Sequence, residues 1–184
     1  MTKQQARARA KAVRHRLDLH TIGLAMARQL FALPCWQSAH TVLAFSALPD
    51  EPDTSAILQQ ALADGKRLLL PRVTGNGTMD WVAIADLSLL RQGAFGILEP
   101  DASLPGVHPE DFPAPLALVP CLAVSPDGIR LGRGGGYYDR FLAHYKGERR
   151  LLCPAALVAA DLPADPWDIR FVPQEILTEK GTLL

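Results

Sequence analysis

The sequence has few cysteines, no net charge and no long apolar run. Cys35, Cys121 and Cys153 are widely spaced and odd in number, which argues against a disulfide framework or a zinc site. Nineteen basic and nineteen acidic residues cancel, so the chain as a whole has no general attraction to nucleic acid or membranes. No apolar run is as long as a membrane span, and the basic N-terminus lacks the apolar core of a signal peptide. We therefore expect a cytoplasmic protein with reduced thiols.

Acidic residues are also absent before Asp18. In that stretch Lys3, Arg7, Lys11 and Arg14 recur at spacings of four, four and three, which places them on one side of a helix. A charged helix face of this kind is most often simply solvated. The functional alternative is that Lys3 and Arg7, one turn apart, bind phosphate oxygens.

Length and patterning predict one α/β domain over residues 1–184. With 48% hydrophobic residues, the chain can bury a substantial core. Helical and strand patterns alternate, which is typical of a three-layer, mostly parallel, Rossmann-like sheet flanked by helices. The predicted helices cover residues 2–17, 19–33, 54–65 and 137–145. The predicted strands cover residues 41–45, 68–70, 79–84, 116–119, 151–158 and 169–172.

Three further features complete the predicted organisation. Gly75-Asn-Gly77 is a strong turn signal and predicts a hairpin insertion. Pro71 and Pro120 are expected to end the strands that precede them. Residues 93–115 are rich in proline, glycine and aspartate and are predicted to be mostly loop.

The segment Gly128–Leu142 has the most unusual composition in the chain. Four of its glycines fall within five positions, from Gly132 to Gly136. Glycine lets successive backbone N–H groups approach a phosphate, and Arg130 and Arg133 can donate charge-assisted hydrogen bonds to anions. Asp139 offers a hard oxygen ligand for magnesium. Because a strand precedes the segment and a helix follows it, we predict a nucleoside triphosphate site there.

This glycine-rich segment matches neither of the common nucleotide-binding fingerprints. No Gly-Lys-Ser/Thr follows it, as in a Walker A loop, and its glycine spacing is not that of a dinucleotide motif. A plain surface turn is one alternative. A nucleic-acid-binding protein is another, because Arg-Gly pairs with nearby tyrosines can bind single strands. The zero net charge and the single Arg-Gly-Gly element argue against the second alternative.

Two groups of acidic residues each allow a structural and a functional interpretation. Glu51-Pro-Asp-Thr54 follows a predicted strand, so its threonine can be a helix N-cap, or a carboxylate can point into a site. Asp161, Asp165 and Asp168 lie in a proline-rich loop, where most aspartates form turns. One of these three can instead complete a magnesium site with Asp139, and spacing alone does not choose among them.

Together these segments resemble the 5-formyltetrahydrofolate cyclo-ligase family, also called methenyltetrahydrofolate synthetase. The strongest likeness is Arg130-Leu-Gly-Arg-Gly-Gly-Gly-Tyr-Tyr-Asp139, which is similar to the family's ATP loop. Weaker likenesses follow the family order at Lys3–Arg7, Glu51–Thr54, Gly65–Pro71, Gly96–Pro100 and Leu162–Asp168. The resemblance covers nearly the whole chain.

The resemblance implies an ATP- and magnesium-dependent ligase that converts 5-formyltetrahydrofolate to 5,10-methenyltetrahydrofolate, with release of ADP and phosphate. It implies that ATP is bound by Lys3, Arg7, Arg130, Leu131, Gly132, Arg133, Gly134, Gly135, Gly136, Tyr137 and Tyr138. Asp139 and Asp168 would ligate magnesium. Ser46 and Glu51 would contact the folate. Arg133 and Tyr137 would lie between the two ligands as catalytic residues.

The chain departs from the family pattern at Pro120-Cys-Leu-Ala-Val-Ser125 and within residues 157–168. These departures motivate a second hypothesis, an ATP-binding paralogue with another substrate or a regulatory role. Under the cyclo-ligase hypothesis we expect a monomer whose partners are ATP and the folate, with neither nucleic acid nor membrane as a partner.

Overall fold

A computed structural model of the protein describes residues 1–75, 77–93 and 97–183. Its α-helices are α1 Lys3–Arg14, α2 Leu19–Phe31, α3 Pro34–Ser38, α4 Ser55–Ala63 and α5 Tyr137–Leu142. Thr2 and Gln5 form a capping box at the start of α1. The Asp18 side chain caps α2 by accepting from the Thr21 N–H. Pro34 is the first residue of α3, where its missing N–H removes no helical hydrogen bond.

Twelve strands occur in the same part of the chain. They are β1 Thr41–Leu43, β2 Arg67–Gly75, β3 Thr78–Ile84, β4 Leu90–Gln92, β5 Leu98–Pro100, β6 Gly106–Val107, β7 Pro115–Pro120, β8 Ala123–Val124, β9 Arg130–Leu131, β10 Glu148–Leu152, β11 Ile176–Thr178 and β12 Gly181–Thr182. Eight of them form a central sheet in the order β12-β11-β10-β7-β1-β2-β3-β6. Two small antiparallel pairs, β4 with β5 and β8 with β9, stand outside it.

The middle of the central sheet is parallel. Val42 of β1 is in register with Leu68 of β2 on one side and with Leu116 of β7 on the other. The pairings β7–β10 and β10–β11 are also parallel, whereas β12, β3 and β6 join antiparallel at the edges. The predicted α/β class with a large, mostly parallel central sheet is confirmed. This sheet draws strands from residues 41 to 182, and the single domain over residues 1–184 stays a prediction.

Alternate residues of the central strands pack on opposite faces of the sheet, since successive strand side chains point to opposite sides. Leu68 and Leu70 are buried in a cluster with side chains of α2, α3 and α4. Leu69 lies in a different cluster, with Trp81 and with Phe141 of α5. Helix α1 joins a third cluster with Val119 and the end of α5. Helices therefore cover both faces, which gives the three predicted layers.

The structure corrects several predicted element boundaries. Strand β2 continues past Pro71. Its pairing with β1 ends at Leu69, so no N–H is required at position 71 on the β1 side, and the pairing with β3 continues. The helix predicted over 137–145 ends at Leu142. The strand predicted over 151–158 is β10, which begins at Glu148 and stops before Pro154.

The C-terminal strand was predicted at the wrong place. Residues 169–172 contribute only an isolated bridge between Arg170 and Ile129, and the final strands are β11 and β12. The 93–115 region contains β5 and β6 in addition to loop. The turn residue Asn76 and Gly96 of the family-like segment lie outside the described residues, although β2 and β3 do pair antiparallel.

Two expectations from composition concern the thiols and membrane spans. Cys35, Cys121 and Cys153 are free and buried, as expected for reduced thiols. Among the described residues, no helix combines the length and apolarity needed to cross a membrane.

Candidate active site

The glycine-rich loop, Gly132–Gly136, connects β9 to α5. It does not follow β7 directly as predicted, because the β8–β9 hairpin lies between them. Gly136 immediately precedes α5 with a φ of 68°, a left-handed conformation that favours glycine. A Cβ on Gly134 would lie 3.3 Å from the guanidinium of Arg7, so the loop backbone and this arginine are closely packed. Helix α5 has only six residues, so any anion bound here would depend mainly on neighbouring cationic side chains.

A cleft of about 430 Å³ lies between this loop, α1 and the segment 165–168, and we call it the polar cleft. Its lining consists of Lys3, Arg7, Arg130, Leu131, Gly132, Gly134, Gly136, Asp139, Arg140, Ala143, Asp165, Trp167 and Asp168. The fold thus brings together seven residues predicted to bind ATP and both residues predicted to bind magnesium, although they come from distant parts of the chain.

Two arginines of the polar cleft are fixed by hydrogen bonds to its walls. Arg7 Nε donates to the Gly132 carbonyl at 3.0 Å. Arg130 Nε donates to the Pro120 carbonyl at 2.9 Å, and its Nη1 donates to Asp139 Oδ1 at 3.0 Å. A guanidinium carries five N–H donors, so each arginine retains further donors for an anionic ligand.

Lys3 links α1 to the loop at residues 161–168, which we call the late loop. It does so through two carboxylates of that loop. Its Nζ lies 2.6 Å from Asp168 Oδ2 and 2.7 Å from Asp165 Oδ2. Burial acts to lower the pKa of Lys3, but hydrogen bonds and ion pairs with the two aspartates outweigh it and raise the pKa. Burial likewise acts to raise the pKa of Asp168, yet hydrogen bonds from the Asp165 N–H and Lys3 hold that pKa below its usual value. The lysine and the carboxylate therefore stay charged at neutral pH.

The structure also distinguishes among the three aspartates of the late loop. Asp165 and Asp168 line the polar cleft. Asp161 is exposed and pairs with Arg9 at 3.1 Å. Spacing could not make this choice, because the fold of the loop decides which carboxylates face α1.

A second cavity, of about 220 Å³, borders the same loop, and we call it the apolar cavity. Its apolar lining includes Phe45, Leu48, Leu70, Pro71, Val73, Met79, Ile97 and Leu98, and its polar lining includes Ser46, Glu51, Arg133, Tyr137 and Tyr138. It shares Arg130, Gly132, Gly134, Gly136 and Asp139 with the polar cleft. The glycine-rich segment is therefore a common wall of two cavities.

A salt-bridge cluster ties the loop to the turn after β1. Arg133 Nε donates to Glu51 Oε1 at 3.1 Å, and its Nη2 donates to Asp50 Oδ1 at 2.5 Å. The other Glu51 oxygen accepts from the Leu48 N–H at 3.0 Å. Burial acts to lower the pKa of Arg133, but the two carboxylates outweigh it and raise the pKa. Glu51 is thus a buried, oriented carboxylate at the apolar cavity.

The other half of the Glu51–Thr54 segment performs a structural task, but not the expected one. The Thr54 hydroxyl donates to the Phe45 carbonyl and accepts from the Ala47 N–H, so it does not cap α4. Asp53 accepts from the Ser55 N–H at 2.8 Å instead. Thr54 thus occupies the predicted N-cap position of α4, but its hydroxyl makes no capping hydrogen bond, because it is used to hold the turn.

Four residues predicted to bind ATP, Arg133, Gly135, Tyr137 and Tyr138, line the apolar cavity but not the polar cleft. The Tyr138 hydroxyl is buried and has no hydrogen-bond partner among the described residues. Burial raises the pKa of this phenol, which keeps it neutral. The Tyr138 ring lies 5.5 Å from the Arg130 guanidinium. The ATP-binding roles of these four residues remain predictions.

Sequence reasoning missed Arg14 as a residue that shapes the site. It was placed with the basic residues on one side of α1, yet its side chain is buried at 1% exposure. Arg14 donates to the carbonyls of Cys121, Leu122 and Asp50. These segments flank the apolar cavity at Cys121 and Glu51. A signal was present in the spacing: Arg14 follows the buried Ala6 and Ala10 at intervals of eight and four, which places it beside their stripe on the helix.

Comparison with known proteins supports the family suggested by the motifs. The sequence model of the 5-formyltetrahydrofolate cyclo-ligase family matches residues 2–179. The chain belongs to this family of enzymes. It is 33% identical to 5-formyltetrahydrofolate cyclo-ligase of Mycolicibacterium smegmatis, over 78% of this chain and 75% of that protein. It is 30% identical to the Escherichia coli K12 protein of the same name, over 80% of this chain and 84% of that protein.

A solved structure agrees with the cyclo-ligase assignment. The NMR structure of Aquifex aeolicus 5,10-methenyltetrahydrofolate synthetase superposes with a TM-score of 0.84 and 31% sequence identity. That likeness covers 100% of this chain and 92% of the other. The predicted fold class and the predicted family are both confirmed.

Proposed function

We propose that this cyclo-ligase family member converts 5-formyltetrahydrofolate to 5,10-methenyltetrahydrofolate with Mg²⁺ and ATP, releasing ADP and phosphate. The observation that carries the proposal is the wall shared by the two cavities, formed by residues of the Arg130–Asp139 segment. A triphosphate in the polar cleft and a flat heterocycle in the apolar cavity would meet at this wall. The activity for which the relatives are named supplies the reaction class.

On the nucleotide side, positive charge and a close backbone support phosphate binding. Lys3, Arg7 and Arg130 line the polar cleft with the glycine-rich loop. Their fixed positions lower the ordering cost of binding an anion, since less side-chain freedom remains to be lost. Phosphoryl transfer is catalysed largely by such positioning and charge stabilisation.

The side chains of the polar cleft also fit Mg²⁺. This ion commonly uses one or two carboxylates together with substrate phosphates and water. No cluster of three or more histidine, cysteine, aspartate or glutamate side chains occurs in the described residues, so phosphate oxygens must complete the set. Asp139 accepts from Arg130 with one oxygen, whereas both Asp168 oxygens accept from Lys3. Asp139 is therefore the more available ligand for Mg²⁺, and Asp168 is the second ligand. The bound ion would offset negative charge on the phosphoryl group.

On the folate side, Glu51 supports orientation of the pterin. Its carboxylate is held by the Leu48 N–H and by Arg133, at the edge of a mostly apolar cavity. An oriented carboxylate can accept hydrogen bonds from the N–H groups of a pterin ring. Ser46 lines the same cavity and supplies a second polar contact.

The chemistry follows from bringing these ligands together. The formyl oxygen attacks the γ-phosphorus, and the bond to ADP breaks. N10 then adds to the formyl carbon and loses its proton, which closes the five-membered ring. The phosphorylated oxygen leaves as inorganic phosphate, a far better leaving group than an amide oxygen. Arg133 and Tyr137, at the wall of the apolar cavity, are placed to stabilise charge and to hold the formyl group.

Both cavities are formed within one chain, which supports a monomeric enzyme. The free, buried cysteines support a cytoplasmic location.

The direct test is methenyl-folate absorbance with purified protein, 5-formyltetrahydrofolate and Mg-ATP. We expect turnover that depends on both ligands, with one ADP released per product. Asp139→Ala should lower turnover by about a hundredfold, because a ligand of the phosphate-bound ion is lost. Asp161→Ala is the matched control, since this exposed aspartate lies outside the polar cleft.

Two outcomes would count against these assignments. A fully active Asp139→Ala enzyme would contradict the magnesium role. Wild-type protein that binds ATP but forms no methenyl product would contradict the reaction and favour the paralogue with another substrate.

A further inference from the structure

Trp167 stands apart from the other two tryptophans. Trp36 and Trp81 are 2% and 3% exposed in the core, whereas Trp167 is 73% exposed. A single exposed apolar residue is common in proteins and by itself needs no explanation. Trp167, however, also lines the polar cleft, where most of the other lining residues are charged side chains and glycines. A large aromatic surface is therefore available beside a site rich in cationic groups.

The contacts of α1 show where the backbone of Trp167 lies. Arg7 contacts the glycine-rich loop at Gly132. Lys3, about one helical turn or 5.4 Å earlier, contacts Asp168. Trp167 immediately precedes Asp168, so its backbone lies beside the Lys3 end of α1. The exposed indole and the cationic side chains therefore line one and the same cleft.

The backbone around Trp167 is held in place. The Asp165 N–H donates to Asp168 Oδ2 at 2.7 Å, and the Asp168 N–H donates to the Asp165 carbonyl at 3.1 Å. Lys3 binds both carboxylates and fastens this turn to α1. The indole is therefore presented on a fixed turn, which limits the entropy lost when a ligand packs against it.

We propose that Trp167 stacks on the base of the nucleotide while Lys3, Arg7 and the loop hold its phosphates. This inference rests on the proposed ATP site and adds to it a base-binding residue. Each nucleobase has a flat π surface, so stacking contributes affinity without strong preference among bases. If stacking is the main contact to the base, the site should accept GTP in place of ATP with modest loss.

Steady-state kinetics test the role of the side chain. Trp167→Ala should raise the KM for ATP about tenfold, the effect typical of losing one stacked base. The kcat and the KM for 5-formyltetrahydrofolate should stay unchanged, because the stack lies away from the reacting atoms. Trp167→Phe should restore most of the affinity. Val172→Ala is the matched control, since Val172 is 55% exposed and lies outside the cleft lining.

Binding measurements make the test independent of turnover. ATP and GTP should quench the fluorescence of the exposed tryptophan, and this signal should disappear in Trp167→Phe. Inorganic tripolyphosphate should compete with ATP, and calorimetry should give it the same affinity for wild type and Trp167→Ala. This comparison separates the base from the phosphates.

The outcomes distinguish the stacking proposal from the proposed function. An unchanged ATP affinity in Trp167→Ala, with normal binding and turnover in wild type, overturns the stacking proposal alone. Equal weakening of ATP and tripolyphosphate in that variant also overturns it, since it would reveal damage to the phosphate side. Absence of ATP binding by wild type overturns both.

Discussion

At the scale of single residues, Arg14 shows how one buried charge can organise a site it does not line. Its guanidinium joins the carbonyls of Cys121 and Leu122, after β7, to that of Asp50, in the turn after β1. These two segments carry Cys121 and Glu51 to the apolar cavity. A buried arginine is tolerated here because several carbonyl oxygens satisfy its donors. We class Arg14 as a positioning residue.

Replacing Arg14 should destabilise the protein strongly. Arg14→Met keeps much of the side-chain volume but leaves three carbonyl groups without their charged donor, so we expect a loss of roughly 3 kcal/mol in the free energy of unfolding. Urea denaturation measures it. Arg16→Met is the control, because Arg16 is exposed just beyond α1 and should shift stability little. Equal losses in the two variants would contradict the structural role of Arg14.

At the scale of elements, the glycine-rich loop is held from several sides. Arg7 of α1 binds its first carbonyl, and Arg133 anchors it to the turn that bears Glu51. Arg140 of α5 donates to the Gly135 carbonyl and to the Gly77 carbonyl, linking the loop to the β2–β3 connection. A loop fixed in this way can keep the same geometry toward both cavities, which the proposed phosphoryl transfer between two bound ligands would require.

Gly136→Ala should therefore impair turnover more than stability. Its φ of 68° disfavours alanine, and the new Cβ would lie 2.8 Å from Arg140 Nη1. Gly65→Ala is the matched control, with a φ of 69° but open space around its Cβ. Both changes should cost roughly 1 kcal/mol of stability from the left-handed backbone. Only Gly136→Ala should also lower kcat, by about tenfold, since it moves the catalytic wall. Similar kcat values in the two variants would argue against this role of the loop.

At the scale of the whole molecule, the polar cleft forms where the first helix meets the late loop. Lys3 comes from the first helix, and Asp165 and Asp168 come from the late loop. The contact between these distant segments depends on ion pairs whose side chains are only partly shielded from water. Its strength should consequently depend on pH.

The contribution of this ion pair to stability should be lost both in acid and in alkali. The folded-state pKa of Asp168 is lowered, so its contribution is present above the unfolded value near 3.8 and is lost as pH falls through the folded pKa. The folded-state pKa of Lys3 is raised, so its contribution is present below 10.5 and is lost as pH rises through the folded pKa. Urea denaturation of wild type and Asp168→Asn should give a stability difference that is constant between about pH 5 and pH 9.

The stability difference between wild type and Asp168→Asn should shrink as the pH falls below 3.8 and vanish once wild-type Asp168 is also protonated in the folded protein. Asp161→Asn is the control, since its exposed pair with Arg9 should contribute little at any pH. A difference between wild type and Asp168→Asn that persists unchanged in acid would show that the ion pair is not its source.

Much of the fold was predictable because local chemistry specifies it. Alternating strand and helix patterns predicted the α/β class, and the helix predicted over 19–33 is α2, with Asp18 as its N-cap. Helix α3, which begins at Pro34, was not predicted, because its five residues carry little periodic signal. Boundaries failed where tertiary context decides them, as at Pro71, whose strand continues because the neighbouring strand has already ended. The two last strands were missed because such short strands carry little periodic signal.

The sequence by itself determined the family, the glycine-rich phosphate-type loop and the candidate residues from Lys3 to Asp168. These depend on residue type and spacing, which a chain displays before it folds. Only the tertiary structure decided that Asp165 joins Asp168 in the cleft, that the Arg14 guanidinium links two segments beside the site, and that one loop borders both cavities. Such facts depend on side chains 82 to 165 residues apart being packed together, and packing is a property of the folded chain.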